Sequence, residues 1–230
     1  IYARKKPLAE DVNLRTIAER TPGFSGADLA NAMNEGAILT AREGRKKVSQ
    51  FDLIRSIEKV MLGPERRSHI LSEREKKITA YHEIGHALLA SLLPHSDPVH
   101  KVSIISRGHA AGYTLKLPFE DRKLESRKEF LDDIVVSLGG YATEKMIFGD
   151  MTTGASNDIS VATAVARNMV TRYGMSDRLG PIAFEGGRDR LIFGGPVVAE
   201  RVASEAVSAQ IDAEVSTIIT TALGRAEEIL

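Results

Sequence analysis

The first seventy residues place apolar and small side chains three and four positions apart, with polar residues between them. This is the period of an amphipathic helix, and each of three such stretches follows a residue that can cap a helix N-terminus. The caps are Asn13, Ser25 and Ser49, and Gly63-Pro64 ends the third stretch. The pattern predicts a compact bundle of short helices over residues 1–70, with no catalytic set of side chains.

A longer helix is predicted from the segment Ser72–Glu75, which matches a capping box, to a stop at Pro94. Its apolar and small positions are again three and four residues apart: Ile78, Tyr81, Gly85, Leu88, Leu89 and Leu92. The charged segment 64–71 precedes this helix. We therefore place a domain boundary there, which gives domains of residues 1–70 and 71–230.

Strand composition appears in one place. Val102–Ser106 and Tyr113–Leu117 flank a Gly-containing turn, which predicts a β-hairpin. Helical periodicity resumes over residues 126–148 and 159–170, and over residues 197–230 as one helix or a helical pair. The predicted fold class is mainly α: a small helical bundle followed by a larger, mostly helical domain with a short hairpin.

Two glycines, Gly139 and Gly140, interrupt the helical pattern of residues 126–148. A glycine inside a helix costs about 1 kcal/mol relative to alanine. We therefore expect close packing of this pair against another element. Residues 149–158 and 173–181, and the Gly-rich stretch around 186–195, have the composition of loops.

Composition narrows the possible functions. Lys plus Arg and Asp plus Glu both number 31, so the net charge is zero and neither a nucleic-acid footprint nor a membrane-surface patch is indicated. There is no cysteine, so a metal site would need histidine and carboxylate ligands. The apolar runs are too short to span a membrane, and the chain begins without methionine. We expect a soluble fragment of a longer protein.

The predicted helix after Ser72 contains the segment His82-Glu83-Ile84-Gly85-His86. Residues four apart share a helix face, so the two imidazoles can converge on one metal ion, with the Glu83 carboxylate beside it. A catalytic zinc ion takes three protein ligands and keeps a position for water, from which Glu83 would accept a proton. The ordinary alternative is two hydrogen-bonded histidines beside a solvated glutamate, but chance seldom produces this register on so regular a helix.

A third metal ligand has to come from elsewhere in the chain. The metzincin continuation is excluded because Leu89 and Leu92 occupy its glycine and histidine positions. No carboxylate near residue 106 supplies the glutamate of a thermolysin-like site. The remaining candidates are the acids Glu144, Asp150 and Asp158 and, as weaker alternatives, His69, His95, His100 and His109. Asp158 stands at a loop-to-helix junction that would fix its side chain, yet the residues alone leave the choice open.

Five segments, in order and over nearly the whole chain, resemble the FtsH family of ATP-dependent zinc metalloproteases. They are Thr21–Asn31, Met61–Arg66, Thr79–Ala87, Thr152–Asp158 and Tyr173–Ser176. The resemblance implies that His82, His86 and Asp158 bind zinc and that Glu83 is the catalytic acid and base. It implies that Glu144 is not a ligand and instead has a structural role or supports the metal ligands.

The same resemblance implies that residues 1–70 are the helical lid of an AAA ATPase module, with Gly26 and Ala27 near the adenine and ribose of a nucleotide. The phosphate-loop motif G-x-x-x-x-G-K-[S/T] is absent from the sequence. We therefore expect ATP and Mg²⁺ to bind only in the full-length protein, and no ATP hydrolysis by this chain. The resemblance also implies a homo-hexamer, and an anchor, missing here, that holds the full-length protein at the cytosolic face of the inner (plasma) membrane.

The metal-binding motif predicts a zinc hydrolase, and the resemblance implies an endopeptidase that cleaves unfolded polypeptides as part of a quality-control protease. The alternative is a catalytically silent assembly module that builds the hexamer and holds zinc only as a structural ion. Because a silent relative commonly loses its general base, the presence of Glu83 favours the enzyme.

Overall fold

The computed structural model describes residues 1–65, 71–106, 111–117, 124–184 and 203–230. In chain order its elements are α1 (Leu14–Glu19), α2 (Gly26–Arg42), α3 (Gln50–Leu62), α4 (Glu73–Leu92), β1 (Val99–Ser103), β2 (Tyr113–Lys116), α5 (Arg127–Ser137), α6 (Gly139–Phe148), α7 (Ser156–Thr171) and α8 (Glu205–Ile229). The predicted fold class, mainly α with a short two-stranded sheet, is confirmed. Among the helices described, none has both the length and the apolar character needed to cross a bilayer.

The chain divides into two compact units. The N-terminal unit comprises Ile1–Ala80 and Asp97–Lys123, and the C-terminal unit comprises Tyr81–Ser96 and Leu124–Leu230. Helix α4 therefore contributes its first turns to one unit and its remaining turns to the other.

Side-chain caps fix where the first three helices begin. The Asn13 side chain accepts hydrogen bonds from two backbone N–H groups of α1. Ser25 with Asp28, and Ser49 with Asp52, form capping boxes at α2 and α3. Each cap satisfies N–H groups that have no partner within the helix, so the three predicted helix starts are confirmed.

The core of the N-terminal unit lies between α1, α2 and α3. Its buried apolar residues are Ile17, Ala32, Met33, Val48, Leu53 and Ile57. Helices α2 and α3 approach closely at Gly36, where a Cβ atom would lie 2.8 Å from Leu53 Cδ2.

The hairpin belongs to the same unit, and its first strand begins earlier than predicted. Strands β1 and β2 are antiparallel, and Ser103 opposite Tyr113 is the last pair before the turn. The predicted strand Val102–Ser106 is therefore wrong in its bounds. The Ser103 hydroxyl accepts a hydrogen bond from the Ile105 N–H at 3.1 Å, which turns the chain away from the ladder.

In the C-terminal unit, the helix predicted over residues 126–148 is two helices. Ser126 caps α5, which ends at Ser137, and α6 starts at Gly139 after a break at Leu138. Helix α6 ends at Gly149, whose φ of 65° is a left-handed conformation that glycine adopts without steric cost.

Helix α7 starts three residues before its predicted position. A 3-10 turn, Thr153–Ala155, is capped by the Thr152 side chain and leads directly into α7. The described part of residues 197–230 is the single helix α8, capped by Ser204. The predicted Gly-rich loop before it lies outside the described residues.

The periodicity that predicted α4 marks its buried face only in part, because Gly85 and Leu89 are buried but other positions of the pattern are exposed. Tyr81, Leu88 and Leu92 are 40%, 39% and 58% exposed. The residues turned inward are His82, Glu83, Gly85, Ala87, Leu89 and Ala90, of which only Leu89 has a large apolar side chain. In the C-terminal unit, helix α4 therefore buries its motif residues His82, Glu83 and Gly85 together with Leu89.

Helices α5, α7 and α8 form the core that supports this motif. Their buried apolar residues include Ile134, Val135, Ala162, Ala166, Met169, Ile211 and Ala226. The alanines let α7 lie close to its neighbours, and this fixes the start of α7, where Asp158 stands.

Candidate metal centre

The two histidines of α4 turn their Nε2 atoms toward each other. His82 and His86 lie one helical turn apart, and their Nε2 atoms are 3.1 Å apart. Their rings meet edge to face, with centroids 4.8 Å apart and an interplanar angle of 76°. The Nε2 atoms of both imidazoles therefore point toward one position beside the helix.

Fixed acceptors hold the other nitrogen of each ring. Nδ1 of His82 lies 2.7 Å from Oε1 of the buried Glu144, and Nδ1 of His86 lies 2.7 Å from the backbone oxygen of Val136. A carbonyl oxygen only accepts hydrogen bonds, and so does an ionised carboxylate. We therefore assign the proton to Nδ1 in both neutral rings, which leaves a lone pair on each Nε2 atom.

Asp158 completes the cluster from the first turn of α7. Its Oδ2 atom lies 3.1 Å from His82 Nε2 and 3.4 Å from His86 Nε2. One ligand atom from each of the three residues falls within 4.8 Å of the other two. Three electron-pair donors face one another with no protein cation among them in the described residues, so the site fits a metal ion.

The pKa values of the clustered side chains also favour a bound cation. Burial raises the pKa of Asp158, but hydrogen bonds with His82 and His86 outweigh it and lower that pKa to about 2. Burial lowers the pKa of His82, but its contacts with Asp158 and Glu144 outweigh it and raise that pKa above its usual value. The cluster therefore attracts positive charge, either a proton or a metal cation.

Glu83 stands next to His82 on α4 and is 6% exposed. Its negative charge also helps to raise the pKa of His82, so the carboxylate lies within electrostatic reach of the cluster. A second acid beside a two-His-one-Asp donor set matches a hydrolytic zinc site, in which a carboxylate that is not a ligand moves protons.

Comparison with known proteins identifies the family of the chain that contains this site. A family model described as Peptidase family M41 matches residues 69–230. The chain belongs to peptidase family M41. A second model, the AAA+ lid domain, matches residues 11–53. An M41 peptidase domain thus follows an AAA+ lid, as the motifs predicted.

This M41 chain is similar to curated proteins named as ATP-dependent zinc metalloproteases. It is 51% identical over 231 residues to the ATP-dependent zinc metalloprotease FtsH of Pseudothermotoga lettingae and, over the same length, to that of Thermotoga maritima. It is 52% identical to the ATP-dependent zinc metalloprotease FtsH 1 of Sphaerobacter thermophilus. Each match covers 100% of this chain but only 37%, 38% and 35% of the relatives. The resemblance to the FtsH family is therefore confirmed, and the chain spans a little over a third of the length of these relatives.

Of the remaining ligand candidates, Glu144 supports a histidine of the cluster, and the others that the structure describes lie apart from it. Glu144 bonds to the ring nitrogen that faces away from the cluster, and its Oε2 atom accepts the Thr152 N–H at 2.7 Å. Asp150 is exposed and accepts its neighbour's N–H. His95 is exposed, and His100 contacts Arg20 at 2.7 Å in the N-terminal unit. His69 and His109 lie outside the described residues.

The two candidate nucleotide contacts are in the lid. Gly26 and Ala27 form the exposed first turn of α2, directly after the capping box of Ser25 and Asp28. A Cβ at Gly26 would lie 3.1 Å from the Tyr2 hydroxyl. The short side chains at these positions leave the backbone of the first turn accessible.

Sequence reasoning missed two parts of the centre. The first is the Val136 carbonyl that orients His86, because a backbone oxygen leaves no trace in residue identity. The second is Gly140, where a Cβ would lie 2.2 Å from Cε1 of His82. The signal for it was the glycine pair inside a helical pattern, which predicted a close approach without naming the partner.

Proposed function

We propose that this chain is the zinc endopeptidase portion of an ATP-dependent protease and cleaves peptide bonds of unfolded polypeptides. The convergence of His82 Nε2, His86 Nε2 and the Asp158 carboxylate on one point carries the proposal. Membership of family M41 and the similarity to ATP-dependent zinc metalloproteases support it. Residues 71–230 are the proposed peptidase domain, and residues 1–70 the proposed lid.

His82, His86 and Asp158 would hold the metal, and Glu83 would act on the substrate. A bound zinc ion supplies electrophilic assistance to the scissile carbonyl and acidifies water. The Glu83 carboxylate accepts the proton of the attacking water and returns it to the amide nitrogen that leaves. Glu144 and the Val136 carbonyl keep both imidazoles in the tautomer that offers Nε2.

The lid and the parts of the protein beyond this chain have proposed roles of their own. Gly26 and Ala27 would contact the adenine and ribose of a nucleotide in the full-length protein, which the AAA+ lid match supports. The full-length protein would work as a homo-hexamer that feeds unfolded substrates to the peptidase domain. It would be anchored to the membrane, with this chain at the cytosolic face.

Hydrolysis of casein tests the proposal. The zinc-loaded chain is expected to release casein peptides, and Glu83→Gln, which keeps the shape of the side chain but not its basicity, is expected to abolish release. Circular dichroism and zinc content are measured for both forms, so that a lost fold or a lost metal is recognised. Equal rates would remove Glu83 from catalysis, and no hydrolysis by a folded, zinc-loaded wild-type chain would favour the silent assembly module.

A further inference from the structure

Gly140, the second glycine after the break between α5 and α6, packs directly against the imidazole ring of His82. A Cβ atom at Gly140 would fall 2.2 Å from Cε1, 2.3 Å from Nε2 and 2.5 Å from Nδ1 of His82. These distances are far inside van der Waals contact, and all three atoms belong to the same imidazole. Any side chain at position 140 would displace the His82 ring.

The neighbouring glycine brings two backbones into contact. A Cβ at Gly139 would lie 3.0 Å from the carbonyl carbon and oxygen of Gly85. In the opposite direction, a Cβ at Gly85 would lie 2.6 Å from the Gly139 oxygen and 2.2 Å from Thr143 Oγ1. Gly85 is the fourth residue of the α4 motif, so α6 touches α4 between the two histidines.

This close approach sets the acceptors of both histidines. Val136 lies in the last turn of α5, where backbone carbonyls lack a partner within the helix, and its oxygen accepts from His86 Nδ1 at 2.7 Å. Glu144 lies on α6 one turn after Gly140, on the same face, and accepts from His82 Nδ1 at 2.7 Å. The two hydrogen bonds thus come from opposite sides of one helix break.

We infer that Gly139 and Gly140 are positioning residues of the metal centre. They let α6 approach α4 to backbone contact, and this sets both Nδ1 acceptors and holds the His82 ring with Nε2 toward the cluster. A Cβ atom at either glycine would overlap or crowd atoms of α4, so a larger residue at either position would push the two helices apart or displace the His82 ring. The inference rests on the metal site of the proposed function.

Substitution by alanine tests the inference against a matched control. Gly140→Ala is compared with Gly224→Ala, which makes the same change inside α8, where a Cβ would meet nothing within 4 Å. Zn²⁺ affinity is measured by competition with a chromophoric chelator, and thermal unfolding is recorded with and without Zn²⁺. Gly140→Ala is expected to bind Zn²⁺ about 10–100-fold more weakly, the usual effect of disturbing the partners of metal ligands, and Gly224→Ala to match the wild type.

The unfolding data separate positioning from simple packing. A positioning role predicts that Zn²⁺ raises the melting temperature of Gly140→Ala by less than that of the wild type. An unchanged gain on a lower metal-free melting temperature would overturn the inference. If Gly140→Ala does not fold, Gly139→Ala is tested instead. Its Cβ would meet the flexible end of Leu89 at 2.9 Å and the Gly85 backbone at 3.0 Å, so it is the milder change. Wild-type Zn²⁺ affinity in Gly139→Ala would overturn the inference. No Zn²⁺ binding by the wild type would instead reject the proposed function.

Discussion

His82 and Glu144, 62 residues apart in the chain, are joined by a 2.7 Å hydrogen bond between Nδ1 and Oε1. The carboxylate is 1% exposed and takes a second hydrogen bond from the Thr152 N–H. Glu144, one of the candidates for the third ligand in the sequence, therefore lies behind His82, a proposed metal ligand, and fixes the tautomer and orientation of its ring.

Removing this carboxylate should weaken metal binding without removing a ligand. Glu144→Ala leaves His82 Nδ1–H without its acceptor in a buried site, so we expect zinc affinity to fall about 10–100-fold. Glu144→Gln keeps an oxygen that can accept from Nδ1, so its loss should be smaller. A chelator competition titration on the three proteins checks this order, and equal affinities would contradict it.

Asp158 should be needed for stoichiometric zinc. After dialysis against a weak chelator, the wild-type chain is expected to retain near one zinc ion and Asp158→Ala to lose most of it. Asp150→Ala, an exposed acid shortly before α7, serves as the matched control and should retain zinc. Equal zinc in Asp158→Ala and the wild type would move the third ligand to Glu144 or a histidine.

The lid should lose stability in acid through one buried carboxylate. Asp52 is fully buried and is bound by Arg45 at 2.5 and 2.6 Å, by Thr40, and by the backbone N–H and hydroxyl of Ser49. Arg45 lowers the pKa of Asp52 well below its usual range, and burial opposes this less strongly.

A depressed folded-state pKa gives stability that is present above the unfolded pKa and is lost as the pH falls through the folded value. The Asp52 contribution, about 2–3 kcal/mol by analogy with salt-bridged aspartates, should therefore fade from about pH 4 downward. Denaturant unfolding of the wild type and Asp52→Asn at several pH values checks this. The free-energy difference between them should shrink toward low pH, and a difference independent of pH would count against the assignment.

An ion pair with one buried partner should make α8 important for the C-terminal unit. Arg225 Nη1 lies 2.6 Å from Oδ1 of Asp132, which is 2% exposed and also accepts the His95 N–H. Arg225→Met should lower the free energy of unfolding by about 3 kcal/mol, because the carboxylate stays buried without its cation. Arg225 is itself 43% exposed, so we take the low end of the range for buried pairs.

The matched control for that change is a surface pair of the same kind. Arg167 and Asp212, 46% and 70% exposed, join α7 to α8 at 3.2 Å. Arg167→Met should cost less than about 1 kcal/mol. Equal losses in the two variants, measured by urea unfolding, would show that the burial of Asp132 has no special effect.

Local sequence determined the parts of this protein that depend on neighbouring residues. The caps at Asn13, Ser25 and Ser49 were predictable because a side-chain oxygen satisfies N–H groups two or three residues away. The convergence of His82 and His86 was predictable because the helical repeat places residues four apart on one face. The motifs that resemble the FtsH family added the family, which the comparison confirms.

Tertiary structure decided what depends on distant residues. Asp158, 76 positions after His82, meets it only because α7 packs against α5 and the 3-10 turn sets the start of α7. The break at Leu138 and the inward face of α4 have the same origin. Each is set by close packing between elements far apart in the chain, and local periodicity and capping carry no information about which surfaces will meet.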